Sequence, residues 1–189
     1  MEPARKLATY ADLRALPEDA RFEILDGALV AQAGALPRHS NVQGELARQI
    51  GGPYHGDGTH GGPGGWWILL DVDVELSLHQ VVRPDVAGWR RERLPDPWDM
   101  RPINVVPDWI CEVLSPSNAA HDRVKKLRLY AQAGVSFYWM IDPAERTLEA
   151  LRLGESGWVS FSAYDDESTA QIAPFDAVEL EVGRLFPPR

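Results

Sequence analysis

The chain predicts an α+β fold: a mixed β-sheet flanked by two principal helices, with extra antiparallel strands toward the C-terminal end. Three observations carry that reading. Val105 to Asp142 reads as strand, helix, strand; Trp66 to Leu78 alternates apolar and polar residues with period two; and Thr147 to Tyr164 reads as a hairpin. With 189 residues, 44% hydrophobic and 25% charged, the chain can bury one core without staples, so residues 1–189 are expected to form a single domain. The one cysteine, Cys111, excludes an internal disulfide and fits a reducing cytoplasm. No stretch approaches the ~20 apolar residues of a membrane span, and no charged-then-apolar leader opens the chain. The expectation is a cytoplasmic protein with no membrane partner.

In chain order, Thr9 to Leu16 holds a short amphipathic helix, capped by Thr9 and stopped by Pro17. Phe22 to Gln32 alternates as a strand interrupted by Asp26-Gly27, a strong hairpin-turn signal. Pro37 to Ile50 is the first principal helix, with Val42, Leu46 and Ile50 as its apolar face. Gly51 to Gly65 holds eight of the 16 glycines and reads as a mobile surface loop. Trp66 to Leu78 follows as one strand with Asp71, Asp73 and Glu75 on its wet face, leading through Gln80 and Val81 into a strand that carries Asp85. Arg93 to Pro107, proline-rich and carrying Trp98, is an irregular connection suited to a lid or substrate wall.

The apolar run Trp109 to Leu114 contains a carboxylate, Glu112, where a purely structural strand would carry Val or Ile. Pro116 ends the strand, Ser117-Asn118 offers a cap, and a helix from about Ala119 to Ala133 follows. Val124, Leu127 and Ala131 form its buried stripe, and Gly134 is its stop. On another face Asp122, Lys126 and Tyr130 recur every four residues and stack in one row. Ser136 to Ile141 is an aromatic-rich strand whose Phe137, Tyr138 and Trp139 serve the core and sheet surface, and Val178 to Phe186 is a last strand or extended tail.

Asp85 and Glu112, on neighbouring strands, would repel each other and resist burial unless a cation lay between them. Mg²⁺ suits two hard oxygen donors, because it keeps several waters and takes substrate phosphate. A nearby lysine would neutralise charge growing on a phosphorane or help activate a water. The net charge of -9 weighs against a nucleic-acid partner. Against that, Arg83, Arg90, Arg91 and Arg93 flank Asp85, and Arg123, Lys125, Lys126 and Arg128 follow Glu112, which predicts a locally positive mouth.

The phrases FEILDGALV at Phe22 to Val30, Pro37 and His39, RPDVAGW at Arg83 to Trp89, CEVLSPS at Cys111 to Ser117, and the spaced Asp122, Lys126 and Tyr130 leading into AGVSFYWMIDP run in one order over most of the chain. In that set the sequence resembles the Uma-two family of restriction-endonuclease-like proteins, within the PD-(D/E)XK nuclease superfamily. The resemblance implies a restriction-endonuclease-like core and Mg²⁺-dependent hydrolysis of DNA phosphodiester bonds, with Mn²⁺ able to substitute. It implies Asp85 and Glu112 as metal ligands, Glu23 as auxiliary ligand, and His39 as a phosphate-binding or proton-shuttling group. Where the superfamily places a lysine two residues after the second acid, this chain has Leu114. The lysine role therefore passes to Lys126, which matches the family's helical lysine, with Lys125 as fallback about 100° round the helix. Asp122 would orient Lys126, and Tyr130 would bond phosphate or fix the row. A homodimer would serve to cut two strands and cover strand edges. Two other readings stay open: a catalytically inactive nuclease-fold protein that binds DNA or a partner, and a general acid/base hydrolase, which leaves the helical lysine and basic flanks unexplained.

Overall fold

The computed structural model describes residues 6–17, 20–32, 34–58, 61–115 and 122–189, the side chains of 122, 123, 160 and 161 excepted. Helix α1 (Tyr10–Arg14) starts at Thr9, whose N–H and hydroxyl both donate to Asp12. Strands β1 (Phe22–Leu25) and β2 (Ala28–Ala31) form the expected hairpin. Asp26 and Gly27 both take positive φ, 51° and 71°, as a tight primed turn requires. Helix α2 (Pro37–Leu46) begins on proline and runs on through a π-turn, Ala47–Gly51, into a short α3 (Gly52–Tyr54).

The start of the glycine-rich stretch is therefore helical rather than loop. Tyr54 is buried and its hydroxyl accepts the Ala177 N–H, which ties this stretch to the core.

The strand expected over Trp66 to Leu78 is two strands, β3 (Trp66–Leu70) and β4 (Val74–Ser77). The break falls at Asp71, held at φ +52° and ion-paired with Arg21. After it the chain leaves one sheet for another, so a continuous period-two pattern conceals a change of partner. Strands β4 and β5 (Gln80–Val82) complete a four-stranded sheet in the order β2-β1-β5-β4. The larger sheet has the order β10-β9-β8-β7-β6-β3, built from β3, β6 (Val86–Arg90), β7 (Trp109–Val113), β8 (Phe137–Asp142), β9 (Thr147–Gly154) and β10 (Gly157–Tyr164). Among the described strand pairs only β7 and β8 run parallel, as neighbours joined by a helical crossover do: a π-helical turn, Asp122–Lys126, continuous with α4 (Leu127–Ala133). Gly134 closes α4 at φ 82°, the left-handed stop expected of it.

Alternation along β7 assigns the two faces. Trp109, Cys111 and Val113 join α2 and the C-terminal segment in one core, whereas Ile110 joins Tyr130, Tyr138 and Met140 in the other. Trp109, Trp139 and Phe175 stack edge-on in the first, with centroids 4.8–5.7 Å apart. Gly88 of β6 makes room for this packing, since a Cβ there would lie 3.0 Å from Trp109 and 3.2 Å from Ile68.

The C-terminal residues are not an extended tail. After β11 (Thr169–Ala170) and β12 (Leu180–Glu181), a 3-10 turn at Val182–Leu185 buries Leu180, Val182, Leu185 and Phe186. The segment from Arg93 to Pro107 is likewise pinned: Leu94 and Val105 carbonyls accept the indole N–H groups of Trp67 and Trp89, and Ile103 exchanges backbone bonds with Asp73 and Glu75.

Candidate active site

Asp85 lies in the link by which the chain passes from the small sheet to the large one. β6 and β7 pair with Val86 opposite Cys111, and extending that antiparallel register by one residue sets Asp85 opposite Glu112. Both side chains then point to the face that carries Ile110, toward the crossover helix. Glu23 reaches the same place from β1, and Lys126 from the π-helical turn. His39 arrives from the first turn of α2. With Arg21, Gln32 and Ser115 these residues line a cleft of about 70 Å³.

The polar contacts are specific. Lys126 Nζ lies 3.0 Å from Glu112 Oε1 and 3.2 Å from Glu23 Oε1, and all three residues are buried. Tyr130 donates its hydroxyl to Glu112 Oε1 at 2.5 Å, and Glu23 Oε1 also accepts the Arg83 N–H at 2.8 Å. Asp85 is held on both oxygens: His39 Nε2 lies 2.7 Å from Oδ1, and the Val113 N–H donates to Oδ2 at 2.7 Å. Gln43, one helical turn after His39, donates to the Asp85 carbonyl and to Asp71.

Glu23 and Glu112 thus share one ammonium, while Asp85 beside them is paired with His39. Burial pushes the Glu112 carboxyl up to about 8; Asp85 and Glu23 push the same way, while Lys126 and the Tyr130 hydroxyl oppose them. Burial next to Glu112 and Glu23 likewise raises the Tyr130 phenol, which keeps it a hydrogen-bond donor. Once Glu112 is ionised, Asp85, Glu23 and Glu112 together carry more negative charge than Lys126 compensates, and their donors are hard oxygens, a chemistry that fits a magnesium-class cation. Among the described residues no group of three or more His, Cys, Asp or Glu side chains is arranged as a ready ligand set. That does not count against Mg²⁺, which commonly takes one or two carboxylates and fills its remaining positions with water and phosphate.

Of the residues singled out in the sequence, Asp85, Glu112, Lys126, Glu23, His39 and Tyr130 converge here. Lys125 does not: it is exposed and lines a separate groove beside Asp26 and Arg128. The Asp122 side chain and the Ser117-Asn118 cap lie outside the described residues. Val124, expected in the buried stripe, is 70% exposed, because the turn instead aims Lys126 and Tyr130 inward. Arg90 and Arg91 stand at the far end of β6 from Asp85, stacked over Trp66 and Trp67, and Arg93 pairs with Asp108. Of the four arginines near Asp85 in sequence, only Arg83 stays close, and its side chain turns to Asp73. Asp73, expected in solvent, is 8% exposed in its side chain.

Gln43 and the Arg83 main chain were not anticipated. The four-residue spacing of His39 and Gln43 on α2 was the available signal.

A mixed sheet that brings one acid from a strand, a second from the link into the neighbouring strand and a lysine from the following helical crossover into one cleft defines the restriction-endonuclease-like class of fold. The chain belongs to the Uma2 family, described as "Putative restriction endonuclease", whose model matches residues 7–183. Its structure is similar to the crystal structure of a putative nuclease from Anabaena variabilis, with a TM-score of 0.70 and 18% sequence identity over 94% of this chain and 97% of that one. At that identity the likeness speaks for the fold. No curated protein matches the sequence.

Proposed function

We propose that the protein is a divalent-metal-dependent endonuclease that hydrolyses DNA phosphodiester bonds. The observation that carries this is the burial of Glu112 beside Asp85 and Glu23, with Lys126 bridging Glu112 and Glu23. Asp85 and Glu112 would hold Mg²⁺, or Mn²⁺ in its place. Bound there, the ion would supply a Lewis acid for a phosphoryl oxygen and acidify a water. Lys126 holds its Nζ at the acid cluster, where it would face the negative charge that builds on the phosphoryl oxygens in the transition state. Glu23, through its contact with Lys126, serves as a positioning residue for that ammonium. Tyr130 orients the Glu112 carboxylate, and His39 and the Val113 N–H fix that of Asp85.

One observation favours a second reading. Lys126 already sits between Glu23 and Glu112 as a counter-cation, as it would in a nuclease-fold protein that binds nucleic acid or a partner without cutting. Incubation of supercoiled plasmid with purified protein and Mg²⁺ or Mn²⁺ separates the two. Nicking that falls about 10²–10³-fold in Asp85→Asn and Lys126→Ala supports the enzyme. Equal nicking by all forms removes these residues from the chemistry. DNA binding with neither nicking nor metal binding supports the second reading.

A further inference from the structure

A groove of about 610 Å³ opens where the chain passes Trp98, and its described lining includes Asp71, Val72, Trp98, Asp99 and Met100. Trp98 is 61% exposed, yet it is held in place. Its N–H donates to Asp96 Oδ1 at 3.4 Å, the Met100 N–H donates to the Pro97 carbonyl, and its ring meets Trp67 edge-on with centroids 4.9 Å apart. Trp67 is locked in turn: its indole N–H donates to the Leu94 carbonyl, and the Arg91 guanidinium lies over its ring at 4.7 Å. An edge-on contact leaves a broad aromatic surface open, and a ring already fixed loses little freedom when something flat settles on it.

The groove adjoins the cleft. Arg21, which lines the cleft, pairs with Asp71 of the groove at 2.8 Å. One amide nitrogen, Gln43 Nε2, donates both to Asp71 Oδ2 at 3.4 Å and to the Asp85 carbonyl at 3.3 Å. The groove therefore begins within a single amide's reach of the residue that would hold the metal. Asp73, Arg83 and Arg101 also line it, a wall too charged for the core of a protein–protein interface, from which such residues are depleted. A fixed aromatic face with carboxylate acceptors around it suits a nucleobase, whose ring stacks and whose amino group donates.

Resting on the nuclease reading of the cleft, we infer that Trp98 is a stacking platform for a base of the strand whose phosphate lies at Asp85 and Glu112. A base lies on a side chain only after leaving its own stack, which an unpaired strand permits and a duplex resists. The site thus selects strands that are single-stranded beside the scissile phosphate, with little regard to sequence.

The test is fluorescence anisotropy in EDTA, which withholds the metal, with three labelled oligonucleotides: a single strand, the same strand in a duplex, and a single strand of abasic sites. Trp98→Ala and Trp98→Leu should weaken binding of the intact single strand about five- to a hundredfold, with little change for the duplex or the abasic strand. Trp98→Phe restores an aromatic face and should bind the single strand nearly as the parent does. Leu78→Ala, at a side chain 62% exposed in the turn between β4 and β5, should leave all three affinities unchanged; thermal melting checks that every form folds. Parental affinity in Trp98→Ala, a loss as large on the abasic strand, or Phe as poor as Leu overturns the inference. So does a Trp98→Ala form that loses self-association in light scattering but keeps its affinity for the single strand, and so does failure of every form to bind nucleic acid. Plasmid nicking by the parent reports on the cleft independently of each of these outcomes.

Discussion

Replacing Glu112 by Gln probes the electrostatics of the cleft directly. The buried carboxyl is pushed from an ordinary 4.5 up to about 8, chiefly by loss of water. A carboxyl whose folded value lies above its unfolded one contributes stability in the protonated form. That contribution is complete below about 4.5 and is lost as pH rises toward about 8. At ~1.4 kcal/mol per pH unit, the deficit at pH 7 is roughly 3 kcal/mol. Gln keeps an oxygen able to accept from Lys126 and Tyr130 but carries no charge to bury.

Without metal, Glu112→Gln should match the parent near pH 5 and melt higher at pH 7–8. The full 3 kcal/mol corresponds to about 6–12 °C for a chain of this size. The gain will fall below that by whatever Lys126 loses when its ion pair with Glu112 becomes a neutral hydrogen bond. Calorimetric melts from pH 5 to 8.5 in EDTA, compared as differences between the two proteins, cancel the other titrating groups. Coincident pH profiles, or a variant less stable throughout, would refute the idea that Glu112 is buried under electrostatic strain.

Two further outcomes follow from the same geometry and from the core. Titration of Mg²⁺ into the parent at pH 7, run in buffers of different ionisation enthalpy, should show proton release, since a cation favours the ionised form of a carboxyl that sits near 8; Asp85→Asn and Glu112→Gln should lose the binding, and a release-free titration would contradict the assignment. Gly88→Ala should cost about 1–3 kcal/mol in urea unfolding, because its Cβ would press on Trp109 and Ile68 at 3.0 and 3.2 Å in a packed core; an unchanged midpoint would mean that those rings give way freely.

The sequence by itself determined the local pieces. The Asp26-Gly27 turn, the apolar β7 run interrupted by Glu112, the α4 stop at Gly134 and the four-residue spacing of Lys126 and Tyr130 depend on backbone preferences and short-range periodicity, which neighbouring residues dictate. Those pieces were enough to draw attention to Asp85 and Glu112, because a carboxylate in an apolar run is a misfit visible without coordinates, whereas the choice of Lys126 over Lys125 rested on the resemblance to the family.

Tertiary structure decided what each charge meets. Period two reports which side chains share a face, not which sheet they join. The break at Asp71 and the burial of Asp73 under Arg83 were therefore invisible in the alternation of Trp66 to Leu78. Val124 and Lys126 exchange their expected burial because a lysine with two carboxylate partners can be taken out of water, whereas a valine on the outer face of that turn has nothing to pack against. Arg90 and Arg91, a few residues after Asp85, are carried by an extended strand to the opposite end of the sheet, while Glu23, 62 residues earlier, arrives within 3.2 Å of Lys126. Separation along a strand grows by over 3 Å per residue, and only the pairing of distant strands brings it back to nothing.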